Sequence, residues 1–132
     1  MRYKGLFLAI ALGILASCSK EKEIDHSAIA AKAAQHYYEN LAHGKFELFL
    51  DGTNMAKKLP TSYRQQLIAN LERFTEQQQK AHSGIKSVSI ANAQFFAKDS
   101  TASVFLILHY GDSSSEQIVV QMLKRKDLWI MR

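Results

Sequence analysis

The chain has 132 residues, 47% hydrophobic and 22% charged, with one proline and one cysteine. That length supports one domain, and a single cysteine excludes both an internal disulfide framework and a multi-thiolate zinc site. The formal charge of +5 is not laid out as a basic stripe interleaved with aromatics, which argues against a nucleic-acid surface. The first element is an address rather than a fold. Arg2 and Lys4 precede an uncharged run from Gly5 to Ala16. A basic start, a short apolar core and small residues after it make a secretory signal, and about a dozen apolar residues fall short of the ~20 a spanning helix needs.

The run closes with Leu15-Ala16-Ser17-Cys18, which resembles the lipobox of bacterial lipoproteins. The resemblance implies that residues 1–17 are a signal peptide and that the Cys18 thiol receives a diacylglyceryl group and becomes the first mature residue. More than one acyl chain gives stable anchoring, where a single chain holds only marginally. Removing residues 1–17 deletes Arg2 and Lys4 and lowers the formal charge from +5 to +3. Lys124, Arg125 and Lys126 are then the one basic triplet, beside Asp127 in a predicted turn. The expected organisation is a signal over 1–17, a lipidated cysteine and polar tether over 18–26, and one α+β domain over 27–132.

Asp25 or Ser27 can cap a helix that runs to about His43 and stops at Gly44. Ile29, Ala33, Tyr37 and Leu41 recur every four residues, with Ala30, Ala34 and Tyr38 beside them, one apolar stripe of an amphipathic helix. A second, short helix follows over Gly44–Leu50 and ends at the Asp51-Gly52 turn. Pro60 suits the first turn of a third helix, whose apolar side is Tyr63, Leu67, Leu71 and Phe74 and which Gly84 closes. The period then falls to about two. Val88 and Ile90, followed by Ala91, Ala93 and Phe95, predict a strand whose phase slips once, as at a bulge. Strands over Thr101–Tyr110, Gln117–Lys124 and Leu128–Met131 follow, the last two joined by a tight turn near Lys126-Asp127. Helices first and an antiparallel meander after is the α+β arrangement.

Two segments carry a further resemblance. Ala34-Gln35-His36-Tyr37-Tyr38-Glu39-Asn40-Leu41-Ala42-His43-Gly44-Lys45-Phe46 and Val119-Val120-Gln121-Met122-Leu123-Lys124-Arg125-Lys126-Asp127-Leu128-Trp129-Ile130-Met131 resemble the opening helix and closing hairpin of the nuclear transport factor 2-like (cystatin-like) superfamily, as it occurs in small bacterial lipoproteins. The resemblance implies N-terminal helices packed on a curved antiparallel sheet of about four strands, a cone whose mouth is often a ligand pocket. Its members include isomerases and dehydratases as well as proteins without catalysis.

The residues themselves show no Gly-x-Gly-x-x-Gly, Walker or His-Glu-x-x-His motif, and the five histidines have no ligand spacing on one helix face. No cofactor and no metal are expected. Asp51 and Asp99 fall in predicted turns, where Asp is favoured for backbone reasons, so no acid–base pair stands out. The expected function is a lipid-anchored cell-envelope protein, non-enzymatic, that binds a small apolar ligand or an envelope protein partner. The alternatives are a cone-type isomerase, dehydratase or hydrolase, and a structural homodimer. The long strand offers two apolar faces, and the one with Phe105, Ile107 and His109 is expected to face the pocket because it alone ends in a polar group. Tyr37, Tyr63 and Trp129 complete the expected lining.

Overall fold

In the computed structural model, which describes residues 24–132, Asp25 caps helix α1 (His26–Ala42), its carboxylate accepting from the Ala28 amide at 3.2 Å. Gly44, at φ +75°, takes the left-handed position that ends the helix, a conformation open to glycine at no steric cost. Helix α2 (Phe46–Asp51), a short 3₁₀ turn (Ala56–Lys58) and helix α3 (Thr61–His82) follow. Four strands complete the chain: β1 (Ile85–Phe96), β2 (Thr101–Tyr110), β3 (Ser115–Arg125) and β4 (Leu128–Met131). They form one antiparallel meander in the order β1-β2-β3-β4. Segment 52–54 runs beside β4 on its free side, with Met131 N donating to Gly52 O at 2.7 Å and Asn54 N to Met131 O at 2.8 Å.

The expected phase slip in β1 is present as a register shift between Ile90 and Asn92, and a second lies between Ile85 and Ser87. Each extra residue bends the strand and curls the sheet. Helix α1 fills the resulting hollow. It presents Ala30, Ala31 and Ala34 to Val88, Val104, Leu106, Met122 and Trp129, with Leu41 buried further along the helix, and alanines let its backbone come close to the sheet. The stripe is rotated from the expected one: Ile29 is half exposed, and Ala30 and Ala34 take the inward line.

The inward face of β2 is also corrected. Ala102, Val104, Leu106, Leu108 and Tyr110 are buried under α1, whereas Phe105, Ile107 and His109 alternate onto the opposite face with Thr101 and Ser103. The reason is the cost of stranding polar groups. One face holds two hydroxyls and an imidazole; the other holds a single polar atom, the Tyr110 hydroxyl, which donates to Glu116 at 2.8 Å.

Helix α3 buries none of its 22 residues. It is fastened at its ends instead. Arg64 reaches Glu47 at 2.5 Å and Asp51 at 2.6 Å on α2, and Ser83, left-handed at φ 62°, closes the other end with its amide on Gln79 O.

Candidate ligand cleft

The five expected lining residues do not gather. Trp129 is 3% exposed and meets Phe95 edge to face with ring centres 6.0 Å apart. The Tyr37 hydroxyl donates to the Trp129 carbonyl at 2.7 Å, and desolvation raises its pKa. Those two belong to the core. Tyr63 stands exposed on α3, while Phe105 and His109 sit across the sheet. None of the five borders either of the two cavities described below.

His109 Nε2 lies 2.7 Å from Ser89 Oγ on the outer sheet face. No carboxylate orients the other ring nitrogen among the described residues, and the pair lines neither of the two cavities described below. His82, Asp112 and Ser114 have the composition of a hydrolytic triad but not its wiring. His82 Nδ1 is 3.1 Å from Asp112 Oδ2, Ser114 Oγ donates to Asp112 Oδ1, and Ser114 Oγ lies 3.5 Å from that same ring nitrogen. A serine nucleophile needs the imidazole between itself and the acid. Here the serine proton is already held by the acid. The cluster ties the end of α3 to the β2–β3 turn, with His82 stacked on Tyr110 at 4.6 Å.

One cavity is a polar crevice of about 130 Å³ between the end of α3, the end of α1 and the start of β1, lined by Thr75, Gln78, Gln79 and Ser83 among others. The larger is an open cleft of about 330 Å³ where segment 51–58 meets the β3–β4 hairpin. Two local features build it. Arg125 pairs with Leu128 across a two-residue turn, and Lys126 adopts φ 57° there, a left-handed conformation that costs a non-glycine residue roughly 1–2 kcal/mol. On the other side, Gly52 lies so close under the Tyr37 ring that a Cβ would stand 2.5 Å from it, and Thr53 Oγ1 donates to Leu50 O at 2.7 Å. From there the chain turns out through the 3₁₀ segment and brings Lys57 and Lys58 to the rim.

Leu128 and Ile130 supply the apolar part of the lining, and Thr53 and Asn54 its neutral polar part. Lys57, Lys58, Arg125 and Lys126 supply the charge. No carboxylate lies within ion-pair distance of any of these four among the described residues. The one acid in the lining, Asp51, is taken by Arg64, whose own pKa is raised by its bonds to Glu47 and Asp51. The cleft is therefore electropositive, with one apolar side. Arg125 and Lys126 were visible in the sequence as part of a basic triplet. Lys57 and Lys58 carry no such signal in the sequence: a dibasic pair ahead of Pro60 gains meaning only when segment 52–54 is laid against β4.

Helices followed by an open, bulged antiparallel sheet that holds α1 in its hollow define the NTF2-like α+β cone fold. A crystal structure of a Campylobacter jejuni protein named for an NTF2-like transpeptidase superposes with a TM-score of 0.59 at 12% identity, covering 74% of this chain and 92% of that one. At that identity the likeness shows the fold alone. No family model and no curated protein matches the chain.

Proposed function

We propose that this chain is a lipid-anchored module of the cell envelope, seated in the outer membrane, that binds a ligand and does not transform it. Residues 1–17 are the signal peptide, Cys18 carries the lipid and the polar segment up to residue 26 tethers the domain, its end taken up by the Asp25 cap and the first residue of α1. Residues 1–23 lie outside the described residues, and the support for these assignments is the lipobox-like sequence. The observation that carries the binding assignment is the cleft of about 330 Å³ with an apolar side and a polar rim, within the size range of small-molecule sites. The groups around it are cations, a hydroxyl and an amide, and its one carboxylate is committed to Arg64. That is equipment for holding a ligand.

The transpeptidase name of the Campylobacter neighbour is not carried over. Acyl transfer would call for a nucleophile beside an oriented base, and the two serine–histidine encounters, Ser89 with His109 and Ser114 with His82, both lack that arrangement. A dimerisation module is the second reading. It is favoured by the outer sheet face, where Phe105 and Ile107 are half-buried and Val119 is half exposed.

Two measurements test the first reading. Metabolic labelling with a fatty-acid analogue should mark the wild type and leave Cys18→Ser unlabelled; equal label on both overturns the anchor. A hydrophobic dye should bind the chain, and Leu128→Asp should weaken that binding by about tenfold or more. Unchanged binding removes the cleft as the site, and a tight dimer without dye binding favours the sheet face.

A further inference from the structure

Three features converge on one end of the molecule. An antiparallel meander places its first and third turns together, and here they touch: Lys124 N donates to Ser100 O at 2.9 Å. Helix α1 begins at the same end, because His26 stacks on Phe95, one residue short of the end of β1, with ring centres 4.6 Å apart. The cationic cleft opens there too, since Arg125, Lys126 and Leu128 belong to that third turn. The chain thus enters the fold at the end where four cations without an ion-pair partner among the described residues line one cleft.

Only five residues lie between Cys18 and Ile24, six steps along the chain that span at most about 20 Å. With Cys18 anchored, this end of the domain is held within about 20 Å of the lipid headgroups. Four cations around one small cleft repel one another unless an anion joins them, and Asp51 cannot serve because Arg64 already holds it. Three of the four are lysines, compact charges on flexible stems that adapt to a phosphate from several directions. Beside them Leu128, 61% exposed, presents apolar surface fit for the hydrocarbon next to a headgroup.

We propose that the cleft seats the phosphate headgroup of an anionic phospholipid in the leaflet that holds the anchor. This rests on the reading of the cleft as the ligand site. Anchoring and headgroup binding then act at one end of the molecule. The lipid tether raises the local concentration of the ligand, and the bound headgroup fixes which face of the domain meets the bilayer.

The test uses the full chain in a non-ionic detergent, titrated with dioctanoyl phosphatidylglycerol. Dioctanoylglycerol serves as the same chains without phosphate, and glycerol 3-phosphate as phosphate without chains. The phospholipid should bind about tenfold or more tighter than either comparator. The paired variants K57Q/K58Q and R125Q/K126Q should each weaken it about fivefold or more, and K57R/K58R should restore it. Binding of dioctanoylglycerol as tight as the phospholipid overturns the headgroup assignment while leaving an apolar ligand cleft. Glycerol 3-phosphate binding as tight as the phospholipid assigns the cleft to a soluble phosphate and overturns the membrane source. No binding of any of the three overturns both the headgroup and the cleft. The comparator series is read on the wild type, so it decides even where a paired variant fails to fold. The mass added at Cys18 is read separately and decides the anchor alone.

Discussion

At the scale of single residues, the most perturbed groups gather at the β2–β3 turn. The hydroxyl and amide of Ser114 donate to the Asp112 carboxylate and, with lesser help from His82, hold its pKa down to about 2 from 3.8. Burial, then the Glu116 hydrogen bond, pushes the Tyr110 phenol up to about 12. The sign of the Asp112 effect follows from linkage. The folded state prefers the charged carboxylate, so the contribution to stability is present above the ordinary value of 3.8. It is lost as the pH falls from there towards about 2. Ser114→Ala should raise the Asp112 midpoint back towards 3.8, as read by NMR titration, and should flatten the acid dependence of stability in that window. A midpoint unchanged by the substitution would show that the serine does not set it.

At the scale of elements, α1 and α3 are opposites. Leu41 of α1 is 2% exposed within the core, so Leu41→Ala should cost about 2–5 kcal/mol in urea unfolding. Leu67 of α3 is only half-buried on a helix that buries nothing fully, and Leu67→Ala should cost about 1 kcal/mol or less. Equal costs would mean that α3 is part of the core. The same contrast explains what the sequence could and could not disclose. Helix ends, the β1 slip and the two-residue turn at Lys126-Asp127 are set by local chemistry, and all three were legible. Which face of β2 turns inward depends on what α1 lays over it, and Phe105 and Ile107 are as apolar as Val104 and Leu106. A pattern of period two marks both faces without ranking them. The polar companions Thr101, Ser103 and His109 were the better guide. His109 read as a pocket terminus is instead what an outward face tolerates. The cleft was hidden for a different reason, since it joins residues 51–58 to residues 125–130, which only the tertiary fold brings together.

At the scale of the whole molecule, the strand that completes the fold is the one furthest along it. β4 is held by β3 on one side and by segment 52–54 on the other, and it contributes Trp129, Ile130 and Met131 to the buried interior. Until it is inserted, Tyr37 has no carbonyl for its hydroxyl and segment 52–54 has no ladder. Truncation after Arg125 should therefore abolish cooperative thermal unfolding rather than lower its midpoint, as followed by near-ultraviolet circular dichroism; a sharp transition in the truncated chain would refute this. The consequence is one of timing. A polypeptide leaving the ribosome or threading a translocon cannot fasten Tyr37 and segment 52–54 to β4 until residues 128–131 have emerged. On the proposed reading of residues 1–17 as an export signal, the closing strand acts as a delay, keeping the chain pliable through the passage and letting it set once it is on the far side.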